Sequence, residues 1–421
     1  MGEHRDVVDA VVIGAGAAGL TLAHRLVETA GAEVVLVTAP PGPLRPAERT
    51  WCWWEAPGGP YDDALVTSFH RLRVHGRAGD VADRAPRRLR YKMLRSGGLE
   101  TLVRDRLANR SAFREVTATV TDVRDAPGGG AEVRGTGPEG RPVLLRARWA
   151  FDSRPPPRLP RARTTLFQHF RGWFVRTPHA AFEPGVADLM DFRVPQPPRG
   201  VAFCYVLPLG THEALVEYTE FSPAPLPREA YERALRHYTR HLLALPEPRI
   251  TATEAGVIPM TDGVFPRRAG TALFRVGIAG GAARPATGYA FAAAQRQSRA
   301  VAAALRAGLP PVPPHPHSTR SRAMDAVLLA ALDTGRVRGA DLLARLFHEV
   351  PTERLLRFLD GDTHWWEDIA VGLRTPARPM LRTALTLPLR ARRPAPAPAP
   401  AAPDEHPDHG HPRKASVNDG D

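Results

Sequence analysis

The sequence has little cysteine and no long apolar run, and each absence excludes a class of protein. Its 421 residues include two cysteines, Cys52 and Cys204, which are far apart and form no CxxC motif. A disulfide framework and a thiolate metal site are therefore not expected, and a reducing, cytoplasmic setting is. No segment reaches the roughly 18 consecutive apolar residues that a membrane-spanning helix needs. The apolar run that starts at Val11 is soon interrupted by glycines, which argues against a secretory signal.

Lysine is also nearly absent. Lys92 and Lys414 are the two lysines, so the formal net charge of +13 comes almost wholly from arginine. The arginines are scattered among alanine and proline, without runs that alternate with aromatic residues, and this argues against nucleic-acid binding. Two interpretations stay open. The charge could attract the protein to an anionic membrane surface, which predicts peripheral membrane association, or it could be ordinary solvated surface.

Glycines at a fixed spacing mark the N-terminal segment as a nucleotide-binding unit. Gly14, Gly16 and Gly19 form a G-x-G-x-x-G motif between a strand predicted over 8–13 and a helix predicted to start at Ala17. In this motif the first glycine permits the turn, the second lets the backbone approach a pyrophosphate, and the helix N-terminus supplies N–H groups. We therefore predict dinucleotide binding through these glycines and Ala17.

The acidic residue that usually ends the second strand of such a unit, where it binds the ribose hydroxyls, is missing. That strand is predicted over 33–37, and Thr38 and Ala39 follow it. Glu48, in the next loop, is the candidate that replaces the missing acid. The departure weakens the ribose assignment and leaves the pyrophosphate assignment unchanged.

A second glycine-rich segment, residues 277–289, follows another predicted strand. Its spacing resembles the G-D-A-x(5)-P-x-x-G stretch of flavoprotein hydroxylases and reductases, which implies that the nucleotide is FAD. A helix starting near its last glycine would direct a positive end at the flavin and favour the reduced, anionic form. Ile278 replaces the acidic residue of the pattern. The predicted FAD contacts here are Gly277, Gly280, Gly281, Pro285, Gly288 and Tyr289.

The order of predicted elements indicates an α/β protein with two interlocked domains. Residues 6–160 and 270–310 are predicted to form an FAD-binding, Rossmann-like domain of the glutathione-reductase type. The strand-rich residues 161–269 predict an interleaved, mainly antiparallel β-sheet domain for the substrate. Apolar residues at helical spacing predict C-terminal helices over 318–385. The Pro- and Ala-rich composition of residues 386–421 predicts a disordered tail.

Beyond the glycine motifs, the sequence resembles the bacterial lycopene cyclase family. The resemblance covers about residues 8–385, where seven motifs follow one another in the family's order. These are RTWCWWE at 49–55, QHFRGW at 168–173, LMDFR at 189–193, YVLP at 205–208, ALVEYT at 214–219, EAGVIPM at 254–260 and the segment 277–289.

This resemblance implies a lycopene beta-cyclase of carotenoid biosynthesis, which converts the linear ψ-ends of lycopene to β-ionone rings. It implies reduced FAD as a cofactor that is not consumed, and NAD(P)H as the electron donor that keeps the flavin reduced. The substrate would be a carotenoid in the lipid phase. The protein is therefore expected to be cytoplasmic and peripherally associated with the membrane, with other enzymes of the carotenoid pathway as candidate partners.

The chemistry that the resemblance implies is acid catalysis. A carboxylic acid protonates the terminal alkene, a neighbouring double bond captures the cation, and a base removes a proton. Glu217 matches the family's acidic residue and is the predicted donor, since its strand is otherwise apolar and burial keeps a carboxyl protonated. Asp191 could orient Glu217, act as the base or simply pair with Arg193. Glu254 could be a second acid or a strand cap.

Aromatic side chains are the second expected part of the site, because a carbocation has to be kept from water. Each aromatic face attracts a cation by roughly 0.5–2 kcal/mol. Alternate residues of a strand share a face, so two tryptophans of the 49–55 motif should point one way and Trp54 the other. The predicted substrate-lining residues are Trp51, Trp53, Trp173 and Tyr205.

Two other functions share parts of this pattern. A flavin oxidoreductase, such as an aromatic hydroxylase or an isoprenoid reductase, would have the same fold and glycine motifs, but Ile278 disfavours it. A non-catalytic carotenoid or flavin carrier would not need a buried acid beside the flavin. The mass of the product distinguishes the three functions, because cyclisation conserves mass and oxygenation or reduction changes it.

Overall fold

A computed structural model of the chain describes residues 7–45, 47–245 and 248–395. Within these ranges strands dominate as far as Arg275, with three α-helices among them, and the chain is helical from Phe291 onwards. In chain order the strands are β1 (Val8–Ile13), β2 (Val34–Thr38), β3 (Thr50–Glu55), β4 (Leu65–Phe69), β5 (Arg71–His75), β6 (Val81–Arg84), β7 (Arg90–Arg95), β8 (Phe113–Thr117), β9 (Thr119–Asp125), β10 (Ala131–Thr136), β11 (Pro142–Asp152), β12 (Thr165–Arg176), β13 (Val186–Asp191), β14 (Val201–Pro208), β15 (Glu213–Ser222), β16 (Arg249–Thr261) and β17 (Leu273–Arg275). The α-helices are α1 (Ala17–Ala30), α2 (Ser96–Leu107), α3 (Arg228–His237), α4 (Phe291–Arg306), α5 (Thr319–Asp333), α6 (Gly339–Glu349), α7 (Thr352–Asp360), α8 (Trp365–Gly372) and α9 (Ala377–Thr386).

The first sheet is Rossmann-like. Its strand order is β8-β2-β1-β11-β10-β9, with β17 beside β11. β8, β2, β1 and β17 run parallel to the C-terminal half of β11, whereas β9, β10 and the first half of β11 form an antiparallel meander. β1 and β2 are almost fully buried, which explains their continuous apolar sequences. Helices α1 and α4 pack against each other beside this sheet.

The second sheet has the order β16-β12-β15-β14-β13-β5-β6 and is antiparallel except between β13 and β5. The predicted fold class, a Rossmann-like domain with an interleaved, mainly antiparallel sheet and C-terminal helices, is confirmed. One boundary differs from the prediction. Residues 71–84 supply β5 and β6 to this sheet, although they lie inside the range predicted for the FAD domain. Both strands are short and no change of composition marks the crossing.

A small third sheet, in the order β3-β7-β4, joins the two domains. Its strands alternate between two cores. Trp53 and Leu94 are buried in the core of the Rossmann-like domain, whereas Trp54 and Tyr91 are buried in the core of the second sheet. The alternation predicted within the tryptophan motif is therefore present, and the two faces of one strand contact different domains.

Helices cover both faces of the second sheet. α3 packs on one face through Tyr231 and Leu235. Helices α5 to α8 pack on the other face, where Leu329, Leu355 and Val371 share one apolar core with strand residues. Helix α9 lies outside α5. None of the helices in the described ranges combines the length and the apolar character that crossing a membrane requires.

Residues beyond 386, where the tail was predicted to begin, still contact the folded part of the protein. Arg390 forms an ion pair with Asp333 at 2.7 Å. The backbone of Arg393 exchanges hydrogen bonds with that of Ala162. These contacts depend on an ion pair and a backbone bridge, which composition does not reveal. The predicted tail from residue 396 onwards lies outside the described residues.

Candidate active site

The glycine turn after β1 has the shape of a pyrophosphate cradle. Gly14 has a φ of +96°, and a Cβ on Gly19 would lie 1.8 Å from the Gly14 carbonyl oxygen, so both positions require glycine. A Cβ on Gly16 would meet none of the described atoms within 4 Å. No described side chain caps the N-terminus of α1, which begins at Ala17. Free N–H groups beside open space fit the diphosphate of FAD.

The second glycine loop meets this turn. Gly277 has a φ of +62°, and its Cα faces Ala18 so closely that a Cβ would lie 2.7 Å from the alanine methyl group. The predicted contacts Gly280 and Gly281 continue this loop as a 3-10 turn and its left-handed end. The two predicted parts of the FAD site therefore come together in space.

The rest of this loop is a closed turn and not the start of a helix. The N–H of Gly288 donates to the carbonyl of Arg284 at 2.9 Å, with Pro285 inside the turn. Helix α4 consequently begins at Phe291 and not near Gly288 as predicted. The buried guanidinium of Arg284 pairs with Asp325 of α5 at 3.2 Å and contacts the Phe358 carbonyl, so the C-terminal helices hold this loop.

The structure offers a second candidate for the ribose acid. Glu48 forms an ion pair with Arg95 at 2.6 Å, and the Arg95 guanidinium lies 4.5 Å from the centre of the Phe174 ring. At the end of β2, the hydroxyl of Thr38 instead donates to Glu115 of β8 at 2.5 Å. Glu115 comes from the adjacent strand β8, which is distant in sequence, so the motif around β2 does not reveal it.

Two glutamates meet over a glycine on the face of the second sheet that the C-terminal helices cover. In register, Tyr205, Glu217, Gly172 and Glu254 form one row across β14, β15, β12 and β16. A Cβ on Gly172 would lie 3.5 Å from the Glu217 Cβ and 3.3 Å from the Glu254 Cγ. The glycine leaves room for both carboxyl groups, which form a hydrogen bond with each other.

The environments of the two carboxyl groups differ. Burial, and then the charge of Glu254, raises the pKa of Glu217 well above its usual value. Burial raises the pKa of Glu254 to about 7, and hydrogen bonds from Thr50 and the charge of Arg95 limit that rise. The Thr50 hydroxyl donates to Glu254 at 2.7 Å. Glu217 is therefore the group that keeps a proton and Glu254 the group that ionises first, which is the usual division in a carboxylate dyad.

Aromatic hydroxyl groups surround this pair. Tyr205 lies opposite Glu217 and forms a hydrogen bond with Tyr289. The Tyr289 hydroxyl is 3.3 Å from that of Tyr91, and its ring makes an edge contact with Trp54 at 4.5 Å between centroids. Tyr289, predicted as an FAD contact, thus extends from the flavin loop to the carboxyl pair.

Three of the predicted substrate-lining residues lie elsewhere. Trp51 and Trp53 pack on Phe291 of α4, with Trp53 stacked at 4.2 Å between ring centroids. Trp173 is buried with Val216 in the core under α3, on the face of the sheet opposite Glu217. The prediction used residue type, whereas strand alternation decides which face each ring occupies.

Asp191 also lies on the opposite face. It pairs in register with Cys204, whose side chain belongs to the core under α3. Tyr238 donates to it at 2.8 Å and Arg193 at 2.9 Å. Although burial opposes ionisation, these bonds lower the pKa of Asp191. Of the roles left open, the geometry favours structural pairing with Arg193 and not orientation of Glu217.

Three further residues of the site were not predicted from the sequence: Gly172, Thr50 and Tyr91. Gly172 and Thr50 stand inside motifs that were recognised, but only the strand register shows that they contact Glu254. Tyr91 lies in no motif, and the alternation of β7 was the available signal. Registers between strands that are distant in sequence are set by tertiary packing, so one sequence alone does not reveal them.

The buried pair makes stability depend on pH. Both folded-state pKa values are raised above about 4.3, the value of an unfolded glutamate. The stability that the protonated pair contributes is therefore complete at acid pH and is lost as pH rises. A rise to about 7 for Glu254 corresponds to a loss on the order of 3 kcal/mol. We expect the double variant Glu217→Gln, Glu254→Gln to gain thermal stability relative to wild type between about pH 5 and about pH 8. If the melting temperatures of the double variant and of wild type depended equally on pH, the raised pKa values would be contradicted.

The paired glycine loops, the Rossmann-like sheet and the interleaved antiparallel sheet define the fold of FAD-dependent flavoproteins. A flavoprotein/dehydrogenase from Cytophaga hutchinsonii superposes with a TM-score of 0.60 at 14% identity, over 91% of this chain and 99% of that one. A geranylgeranyl bacteriochlorophyll reductase-like protein from Thermoplasma acidophilum gives 0.58 at 13% identity, with the same coverage. p-Nitrophenol 4-monooxygenase from Pseudomonas putida gives 0.54 at 16% identity, over 92% and 99%. At these identities the similarity concerns the fold alone.

The family is shown by sequence. The family model described as lycopene cyclase protein matches residues 9–385, and the chain therefore belongs to the lycopene cyclase family. A search of curated protein sequences gave no significant match.

Proposed function

We propose that this protein closes the ψ-ends of lycopene to β-ionone rings by acid-initiated cyclisation, as a step of carotenoid biosynthesis. The observation that carries the proposal is the buried pair Glu217 and Glu254, which shares a hydrogen bond over Gly172. Membership of the lycopene cyclase family supports the substrate. A protonated acid and an ionisable base in one apolar site are what a reaction needs that gains a proton and then loses one.

The residues around the glycine turn fit FAD. Gly14 and Gly19 form the tight turn, Gly16 leaves open space beside the uncapped start of α1, and Gly277 brings the second loop against Ala18 of that helix. Bound in its reduced form, FAD would supply an electron-rich ring that stabilises a neighbouring cation, and NAD(P)H would serve only to keep it reduced. Tyr289 connects the flavin loop with the carboxyl pair, which supports a common site.

In the proposed mechanism the two glutamates have opposite roles. Glu217 gives its proton to the terminal alkene carbon, and the tertiary cation is attacked by the neighbouring double bond, which forms the ring. Glu254, as the carboxylate, then removes a ring proton and leaves the β-ionone double bond. One proton enters and one leaves, so no electrons are consumed. The hydrogen bond between the carboxyl groups lets the proton return to Glu217.

The aromatic side chains protect the intermediate. Tyr205, Tyr289 and Trp54 surround the pair with ring faces and edges and exclude water, which would otherwise capture the cation as an alcohol. Each ring contributes roughly 0.5–2 kcal/mol of cation attraction. The Tyr289 hydroxyl bonds to the hydroxyl groups of Tyr91 and Tyr205, so these three polar groups satisfy one another.

The test is a single turnover in heavy water under anaerobic conditions. Protein with reduced flavin is first equilibrated in D₂O, so that the carboxyl pair carries deuterium, and lycopene is then added in detergent. We expect one deuterium at the C2 methylene of each ring closed, no other change in product mass, and no flavin oxidised. In a second experiment with excess lycopene, the deuterium per ring should fall over successive turnovers if the pair recycles the proton that Glu254 removes.

The same experiment distinguishes the proposed cyclase from the two alternative functions. Repeating it in ordinary water with a deuterated nicotinamide separates hydride transfer from protonation. Deuterium derived from the nicotinamide, with one equivalent oxidised per product, would identify a flavin oxidoreductase such as an isoprenoid reductase. Unchanged lycopene after stoichiometric flavin binding would identify a carrier.

A further inference from the structure

The outer sides of the last two helices form an unusually apolar surface. Seven of the fourteen large apolar side chains that are exposed in the described residues lie between positions 365 and 389. Their inner sides are packed, because Val371 of α8 and Met380 of α9 belong to the main core. We call the exposed group the C-terminal surface; it consists of Trp365, Trp366, Ile369, Leu373, Leu381, Leu385 and Leu389.

The acidic and basic side chains of this segment differ in their exposure. Its two acidic residues, Glu367 and Asp368, are buried and paired with Arg357 and Arg320. The exposed charged side chains between positions 365 and 393 are all arginines: Arg374, Arg378, Arg382, Arg392 and Arg393. Arg374 pairs with Glu349 of α6 at 3.5 Å, and Asp362, just before α8, is exposed. Arg378, Arg382, Arg392 and Arg393 still give the apolar side chains mainly positive neighbours, which is the composition of helices that lie in the interface of an anionic bilayer.

We propose that the C-terminal surface docks the protein on an anionic phospholipid membrane. Trp365 and Trp366, which are 59% and 54% exposed, are the residue type that settles at the boundary between lipid tails and headgroups. Arg378 and Arg382 share one face of α9 with Leu381 and Leu385, so phosphate groups and acyl chains would be contacted together. This combination of cationic and apolar groups is the reason that an anionic phospholipid bilayer is the proposed partner.

Other coverings fit the surface less well. In a symmetric contact between two copies, the same patch would face itself and bring arginines against arginines. Residues 396–421 follow α9 along the chain, but Val417 is their one large aliphatic side chain and they contain no aromatic residue. Neither occupant supplies both the negative charge and the apolar area that this surface would bind.

The C-terminal surface lies on the same side of the second sheet as the carboxyl pair. α9 packs on α5, and α5 contacts β12 and β16, the strands of Gly172 and Glu254. Met380, Leu329 and Tyr205 belong to one continuous apolar core. Docking through this surface would turn the side of the sheet that carries the carboxyl pair toward the lipid in which the substrate dissolves, an inference that rests on the proposed function.

The experiment measures binding of the full-length protein to vesicles by flotation. We would compare phosphatidylcholine vesicles with vesicles in which about one third of the lipid is phosphatidylglycerol. Two double variants change the surface. The first combines Trp366→Ser and Leu385→Ser, and the second combines Arg378→Glu and Arg382→Glu. A control variant combines one change of each kind elsewhere, Leu309→Ser and Arg306→Glu. The control residues are exposed at the end of α4, in the other domain. Light scattering without lipid gives the oligomeric state of each.

We expect wild type and control to bind the anionic vesicles, and each surface variant to lose at least about tenfold in partition coefficient. Equal binding by all variants would overturn the proposal. A wild-type dimer that the variants dissociate, without any loss of vesicle binding, would overturn it in favour of self-association. Activity on lycopene in detergent should remain in the surface variants. Docking without any activity in wild type would refute the proposed function and leave the docking surface standing.

Discussion

Replacement of Glu217 by glutamine is expected to abolish ring closure while FAD stays bound. The amide keeps the volume of the side chain and can still accept a hydrogen bond from Thr219, which donates to Glu217 at 2.7 Å, but it has no acidic proton. Positioned general acids contribute roughly 10²–10⁴-fold to rate, and the neighbouring Glu254 acts in the proposed mechanism as the base and not as the donor. We therefore expect a loss of about a thousandfold or more in single-turnover cyclisation, measured by chromatography of the carotenoids.

A matched control stands three residues along the same strand. Glu220 is also buried, and burial raises the pKa of its carboxyl group, but it lies on the other face, bonded to Tyr218 at 3.0 Å. Glu220→Gln should keep at least about a third of wild-type activity, because its chemistry is identical and only its face differs. Near-normal cyclisation by Glu217→Gln, or an equal loss in both variants, would remove Glu217 from the mechanism.

The fold could be predicted largely because its signals are local. The strand, glycine turn and helix around Gly14 occupy one continuous segment, and so does the second loop at Gly277. Composition and periodicity likewise indicated the C-terminal helices. The crossing of β5 and β6 into the second sheet was missed, since nothing in residues 71–84 distinguishes a strand of one domain from a strand of the other.

The site was predicted less completely, because it depends on how strands align. Glu217 and Glu254 were both recognised, but as separate candidates. Their meeting depends on the register of β15 and β16 against β12, which places Gly172 between them. Trp173 follows that glycine directly and consequently points to the other face. One residue along the strand thus separates a position beside the carboxyl pair from a position in the opposite core.

The second large effect concerns the cofactor. Gly16→Val is expected to reduce the FAD content of the purified protein to less than about a tenth of wild type, measured by absorbance after gel filtration. Gly16 has an ordinary backbone conformation, with φ at −81°, and a Cβ there would meet none of the described atoms within 4 Å. The valine therefore fits the folded protein, and its side chain occupies the space in which the pyrophosphate would approach the N–H groups of α1.

A control for this change is available because the same substitution can be made where no ligand is expected. Gly210, between β14 and β15, likewise has open space around its Cα and no positive φ. Gly210→Val should keep normal FAD content and unfold like flavin-bound wild type, whereas Gly16→Val should unfold like wild type from which FAD has been removed. A Gly16→Val protein that unfolds early would indicate damage to the β1–α1 turn, whereas normal flavin content in a stable Gly16→Val protein would refute the placement of the nucleotide. The valine at position 16 meets no described protein atom, so it can disturb only a bound ligand. Loss of flavin from a protein that still folds would therefore place the phosphate groups of FAD beside Gly16.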